Sequence, residues 1–553
     1  MRSIRGFLLA GAVILAGYGC SAVNILRDDR HVRGFNYTPV KASETKLANE
    51  KFLYRYRNEW QFNRRHQDRP PGLCVAMSGG GMRSASYNIG VLQGLYRIGV
   101  LDEVDILSSV SGGGYALSWY YLQQYYTRHD SRACDEQLFD SHGRFQRYLE
   151  NRGNTFLDTW VGDKSDTAYT LTKKLVLWAS ALPVNIFANE LFDWHANLNP
   201  IRRGYENGIE RVFHLTPAYN GTDTVNDAGI FSFTTVDPGK KAGFPELRAF
   251  ILERRLPYFI INTTAVIDDD TEHYNAQLSK SIYEFTPLYH GSDGFFEDYR
   301  LEFPFPVSRA VSISGAAVDA STMPGPLQRV MFSRLNLDLG YKMDNPVASP
   351  DKAWKHGLLP FPFYLMHSDI RDRDGSVIYL SDGGHAENLG AFSLVKRLCD
   401  TIIIVDAEHD PEYKFGAYEH LRRQLRAEMN VDFELKDYER FKDFKGSRPI
   451  LDGRIGMFPV RTLDGRDKDL EIKVKYIKLS LDEERVNSGT YPDTVLNYYQ
   501  RNAEHVKGWL LTYYAFPQQP TSDLSFGKAQ FSAYRDLGYE TVMRNLRKED
   551  VTE

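Results

Sequence analysis

Three short stretches set a reactive or anion-binding group among glycines. In Ser109-Val110-Ser111-Gly112-Gly113 a serine closes an apolar run and opens a glycine turn. An acyl-transfer nucleophile needs such a bend between strand and helix. There its Oγ projects free of its own backbone, and the N-terminal N–H groups of the helix point at the site. Ser108 and Ser109 lack this setting. The familiar elbow reads G-x-S-x-G; here Ser109 takes the first glycine's place and Gly113 keeps the last.

In Ser78-Gly79-Gly80-Gly81-Met82-Arg83 three successive glycines leave backbone N–H groups unobstructed, and such a nest binds an anion. A phosphate loop is excluded because no Lys-Ser/Thr follows. A dinucleotide fingerprint is excluded because Ser84 replaces the third glycine, and Asp102 and Glu103 precede the second strand instead of ending it. Two readings stay open, an oxyanion hole at Gly79, Gly80 and Gly81 and a structural glycine turn. Arg83 suits a lipid phosphate or a brace for the turn, with a helix-start arginine paired on the surface as the alternative.

The third stretch is Asp382-Gly383-Gly384. Asp-Gly also occurs at Asp293, Asp374, Asp452 and Asp464, where it reads as an ordinary turn. Asp382 differs because it caps an apolar run, Val377-Ile378-Tyr379-Leu380, and so is the candidate general base for Ser111. His385 offers a Ser-His-Asp alternative, but a triad histidine must lie between nucleophile and carboxylate, a place Asp382 would already fill. There is no Cys-x-x-Cys and no His-Glu-x-x-His, so neither metal nor cofactor is expected.

These groups need strands to carry them to one place. Leu73–Met77 and Val104–Val110 are short apolar runs, each ending at a glycine turn and followed by a helix-period segment, Arg83–Gly99 and Tyr115–Leu122. That order implies an α/β fold with a parallel sheet and right-handed crossovers. Val377–Leu380 and Thr401–Val405 read as two more parallel strands with a helix over Glu387–Arg397 between them, so that Ser111, the nest and Asp382 emerge at one carboxyl edge. Most of 134–300 reads as an insertion, with a strand candidate at Tyr258–Asn262. Leu175–Phe187 is too short to span a bilayer and is broken by Pro183, which favours a buried helix over a lipid-facing flap.

Gly79-Gly80-Gly81-Met82-Arg83, Ser109-Val110-Ser111-Gly112-Gly113 and Asp382-Gly383-Gly384 resemble, in order and content, the signature blocks of patatin-like phospholipases. The resemblance covers 73–122 and 377–405 and takes in Ile313-Ser314-Gly315-Ala316-Ala317. It implies a three-layer α/β/α fold, hydrolysis of acyl esters in (glycero/lyso)phospholipids, and a Ser111–Asp382 dyad without a catalytic histidine. The domain reading is a leader or anchor at 1–19, a tether at 20–71, a catalytic domain at 72–410 and a helical C-terminal extension at 411–553 packed on the core, in which an alternating run near Ile472–Leu479 suggests a strand. Ser109 in place of glycine motivates the alternative, a lipid-binding envelope protein of the same fold with little or no turnover.

Lys+Arg 67 against Asp+Glu 72 gives a net charge of -5, which offers no footprint for nucleic acid. Arg2 and Arg5 precede the apolar Phe7–Ala16, the pattern of a secretory h-region, and small residues lead to Cys20, which resembles a bacterial lipoprotein cleavage box. The expected location is therefore the bacterial cell envelope, as a membrane-anchored lipoprotein with the outer membrane favoured; an uncleaved transmembrane anchor over Gly6–Leu26 is the rival. Membrane phospholipid is the expected partner. Lipidation of Cys20 leaves Cys74, Cys134 and Cys399, an odd number, with Cys74 in an apolar run, so no essential disulfide is expected.

Overall fold

The computed structural model describes residues 56–64, 69–127, 241–268, 278–292, 295–298, 305–319, 339–344, 377–461, 467–503, 515–521 and 526–552, with single positions and short pairs between them. The h-region, Cys20, Cys134 and the Leu175–Phe187 segment lie outside the described residues. Among the described residues no helix is long and apolar enough to cross a membrane.

Thirteen strands among the described residues join in one sheet. They are β1 (Pro39–Val40), β2 (Leu73–Met77), β3 (Val104–Val110), β4 (Tyr258–Asp268), β5 (Leu278–Phe285), β6 (Tyr289–Ser292), β7 (Phe295–Asp298), β8 (Tyr341–Asp344), β9 (Val377–Asp382), β10 (Thr401–Asp406), β11 (Asp432–Leu435), β12 (Ile450–Arg461) and β13 (Asp467–Lys478). The centre is parallel, in the order β4-β3-β2-β10-β13. Every residue of β2, β3 and β10 is buried, as expected of strands covered on both faces. Antiparallel strands extend both flanks, β5-β6-β7-β1 beyond β4 and β12-β11 beyond β13. The chain is thus α/β with a mostly parallel core.

Four expectations need correction. β9 is antiparallel to β4, with Thr263 opposite Asp382, and also pairs antiparallel with β8. A four-residue apolar run has period and burial but no direction, so its sequence does not distinguish the two pairings. The C-terminal region is not a helical extension: β11, β12 and β13 are strands of the main sheet. Part of the supposed insertion is core, because β4 to β7 lie within it. Finally, Cys74 is not a free thiol but is bonded to Cys399, with Cα atoms 6.1 Å apart, beside the adjacent strands β2 and β10.

Two helices follow the first two glycine turns, α1 (Gly81–Arg97) and α2 (Gly112–Thr127). Further on lie α3 (Phe244–Arg254), α4 (Val307–Ser314) and, in the C-terminal region, α5 (Lys528–Asn545). α1 is buried along Gly81–Leu95, and α5 lies tightly against it. A Cβ on Gly90 would fall 1.8 Å from the carbonyl oxygen of Arg535, and one on Gly538 would fall 2.2 Å from that of Tyr87. Only glycine permits backbones this close. The supposed tether also joins the core. Glu59, in a 3-10 turn at Arg57–Phe62, is buried and accepts hydrogen bonds at 2.6 and 2.9 Å from Arg397.

Candidate active site

Ser111 and Asp382 are brought together by one strand that both neighbours share. β3 runs along the first half of β4 and ends with Val110 opposite Asn262. β9 approaches from the other direction along the second half and ends with Asp382 opposite Thr263. Since Asn262 and Thr263 are consecutive, the ends of β3 and β9 meet head to head. The expected convergence therefore occurs, although parallel strand ends are not its cause. The Ser111 hydroxyl donates to Asp382 Oδ2 at 3.0 Å across 271 residues of sequence.

Each partner is held from behind. Ser111 has φ 48, a left-handed backbone uncommon outside glycine, and its N–H donates to Ser314 Oγ at 2.8 Å. Ser314, the last residue of α4, in turn donates to the carbonyl of Asn262 at 2.6 Å. The elbow is thereby tied to β4 just where β9 takes over from β3. Ser109 fits without disturbance, since its hydroxyl donates to the carbonyl of Ile260 at 3.2 Å. The backbone carbonyl of Asp382 accepts from Thr264 Oγ1 at 2.6 Å, and its Oδ1 accepts from the Gly384 N–H at 2.7 Å. Ser314 was legible only as part of a glycine-flanked block, and nothing in the sequence marked Thr264.

Asp382 is 5% exposed and has no cation within ion-pair distance among the described residues. Burial pushes its carboxyl up to about 7, and the buried Asp319 adds to this, while the Gly384 N–H and Ser111 hydroxyl pull the other way. A carboxylate of this basicity can accept a hydroxyl proton near neutral pH. His385 does not intervene. Its Nδ1 lies 2.8 Å from Ser381 Oγ and 3.4 Å from Asp319 Oδ2, and burial, with Lys280 nearby, brings it down to about 4.

The glycine nest lies against this pair. A Cβ on Gly79 would fall 3.4 Å from Ser111 Cβ, and one on Gly112 would fall 2.1 Å from the Gly81 carbonyl oxygen. The three glycines are not equivalent. The Gly79 N–H donates to the Asn388 carbonyl at 2.8 Å, which joins the nest to the segment after Asp382. Gly80 and Gly81 have φ 138 and φ 61, and their N–H groups have no hydrogen-bond partner among the described residues. Two of the three expected donors thus remain open, and Gly79 is structural. Arg83 is 1% exposed and points away from solvent into hydrogen bonds with the protein itself.

No group of three or more His, Cys, Asp or Glu among the described residues is arranged to hold a metal ion. An acidic trio, the buried Asp406 and Asp410 with the half-buried Glu408, instead surrounds Lys478 Nζ at 2.7, 2.9 and 3.1 Å.

Comparisons with known proteins bear on the segment that holds the serine and the nest. Cytosolic phospholipase A2 zeta of Mus musculus is 31% identical over 113 residues, with 17% of this chain and 13% of that protein covered. The structure of human GIVD cytosolic phospholipase A2 aligns with 90% of this chain and 63% of its own, at 14% identity and a TM-score of 0.48. VipD from Legionella pneumophila aligns with 61% of this chain and 50% of its own, at 12% identity and a TM-score of 0.19. The chain therefore spans less than two thirds of the relatives it resembles. The patatin-like phospholipase family model matches residues 75–245, a range that includes Ser111 and all three nest glycines and stops short of Asp382. It is this segment, residues 75–245, in which the chain is similar to patatin-like phospholipases.

Proposed function

We propose that the chain is a lipid acyl hydrolase that cleaves fatty-acyl esters of phospholipids or lysophospholipids through Ser111 and Asp382. The observation that carries this reading is the 3.0 Å hydrogen bond from a left-handed, buried serine to a carboxylate that no cation among the described residues neutralises. Asp382 takes the hydroxyl proton as Ser111 Oγ attacks the ester carbonyl carbon. The carbonyl oxygen becomes an oxyanion beside the N–H groups of Gly80 and Gly81. As the intermediate collapses, the ester C–O bond breaks, the alcohol leaves with the proton from Asp382, and the acyl group stays on Ser111. Water then repeats the sequence, deprotonated by Asp382, and releases the fatty acid.

The same reading places the chain at the cell envelope, held by lipid on Cys20. The apolar Phe7–Ala16 run supports export, and the Cys74–Cys399 disulfide is at home in an oxidising compartment.

The test is covalent labelling and turnover together. Wild-type protein is expected to react with a fluorophosphonate at Ser111 and to release fatty acid from phospholipid vesicles, and Ser111→Ala to do neither. An unreactive wild type would favour the binding-protein alternative, and Ser111→Ala with wild-type turnover would remove Ser111 from the mechanism.

A further inference from the structure

Arg83 follows the nest by two residues, the place where a cation would be expected to meet a lipid phosphate. Its surroundings argue otherwise. Nε donates to the Ala407 carbonyl at 3.0 Å, Nη1 donates to the Gln519 carbonyl, and Nη2 donates to Thr521 Oγ1 at 3.2 Å. Its charge already faces the carboxylates of Asp406 and Glu408. With the side chain 1% exposed, a phosphate would have to displace the protein to reach it.

What Arg83 holds is an arm from the far end of the chain. Residues 518–521 lie between the C-terminal strands and α5 in sequence, and the first two residues of the arm are anchored. Gln518 Oε1 accepts from the Asp410 N–H at 2.9 Å, and its Nε2 donates to the Leu479 carbonyl at 3.3 Å. Gln519 Nε2 donates to Tyr498 Oη at 3.0 Å, and its Oε1 accepts from Tyr534 on α5. The arm then passes over the nest, where the Thr521 carbonyl oxygen lies 3.0 Å from the point a Cβ on Gly81 would occupy. Gly81 is one of the two glycines with an open N–H. The arm therefore touches the proposed oxyanion site at Gly81, and Arg83 bonds the one to the other.

We propose that Arg83 is a positioning residue that clamps the Gln518–Thr521 arm onto the nest and so fixes the Gly80 and Gly81 donors for the transition state, without binding the substrate's phosphate. The inference rests on the hydrolase reading of Ser111. A donor that shifts by a fraction of an ångström loses its transition-state contact and leaves ground-state binding of the lipid intact, so the effect belongs in kcat. It is also blind to the head group, because the ester carbonyl is common to all acyl lipids.

The experiment compares full-length wild type, Arg83→Lys and Thr521→Val on phosphatidylcholine and on diacylglycerol of the same acyl chains in one micelle system. Arg83→Lys is expected to lower kcat about 10²-fold on both lipids, a loss typical of misplaced catalytic geometry. KM should stay within about threefold, as befits a contact made only in the transition state. Thr521→Val, which removes one hydrogen bond and keeps the carbonyl, should show the same pattern with a smaller fall. It also serves if Arg83→Lys does not fold. A loss confined to phosphatidylcholine, or one carried by KM, would assign Arg83 to phosphate binding and overturn the proposal. So would unchanged kcat in folded variants. A wild type that neither reacts with a fluorophosphonate nor hydrolyses either lipid would instead overturn the hydrolase reading beneath it.

Discussion

Two buried carboxylates flank consecutive residues of β4 and have opposite characters. Glu284 on β5 is paired with Asn262 on one side of the strand, and Asp382 on β9 is paired with Thr263 on the other. Glu284 accepts from Arg397 at 3.1 and 2.8 Å and from Ser393 at 2.6 Å, and Lys396 Nζ is 3.2 Å away. Burial pushes its carboxyl up, but the charges of Arg397 and Lys396 and the hydrogen bonds from Arg397 and Ser393 outweigh this and hold it well below the usual carboxylate range. Among the described residues Asp382 receives a backbone N–H and a serine hydroxyl and no cation, so burial wins and the carboxyl rises to about 7. The lesson is that depth alone does not make a base. Burial with a guanidinium makes a strut, which here ties β5 through Arg397 to Glu59 in the N-terminal turn. Burial without one leaves a group that can take a proton.

The largest expected effect separates the two by amide substitution. Asp382→Asn should lower kcat on the order of 10³-fold, the scale of a lost general base. It should also make the protein more stable at pH 8. A folded-state value raised above the unfolded one contributes stability that is present below about pH 4 and is lost as pH rises through about 7. Replacing the carboxylate by a neutral amide therefore returns up to about 4 kcal/mol at pH 8 and nothing at pH 4. Thermal melts across that range check it, and a destabilised Asp382→Asn at pH 8 would mean that Asp382 is already paired.

Glu284→Gln should go the other way. Its depressed folded-state value contributes stability above the unfolded value and loses it as pH falls, so at pH 7 the variant strands Arg397 beside Glu59 alone. The expected loss is about 3–5 kcal/mol, the cost of breaking a buried pair by removing one partner. The rate per folded molecule should stay near wild type, which denaturant titration together with active-site labelling would measure. A large fall in kcat without loss of stability would give Glu284 a part in the chemistry and end the contrast.

The sequence made one of these carboxylates visible and hid the other for definite reasons. Asp382 stood out because glycines follow it, and a turn that crowds a strand end leaves a mark in residue types. Gly383 shows the cause, since a Cβ there would fall 2.3 Å from the Asn262 carbonyl oxygen. Gly80 and Gly81 were legible likewise, through backbone angles that other residues rarely adopt. Glu284 left no mark, because one acid in an alternating strand looks the same whether it meets water or Arg397. Arg83 was visible as a cation, but its partners at Gln519 and Thr521 lie 436 and 438 residues away, and nothing local specifies them. The cysteine count misled for a simpler reason: an odd number forbids complete pairing and permits one bond, Cys74–Cys399. The strand direction of β9 and the joining of the C-terminal strands to the main sheet were likewise hidden, because pairing partners are chosen by tertiary packing.

The smallest expected effect concerns His385, and it tests whether Asp382 acts directly. If Ser111 passes its proton straight to the carboxylate, His385→Ala removes only the neighbour of Ser381 and Asp319, and kcat should change by no more than about threefold. The pH dependence should survive as well. On that route turnover needs ionised Asp382, so kcat/KM should fall about tenfold per pH unit below the apparent value near 7, with that limb present in both wild type and His385→Ala. A histidine base would behave differently. Burial, with Lys280 nearby, brings His385 down to about 4, so an acid limb set by it would sit near that pH, and its loss in His385→Ala with a large fall in kcat would restore the Ser-His-Asp alternative. The position of one limb on the pH axis thus distinguishes a bare buried carboxylate from a histidine as the group that accepts the Ser111 proton.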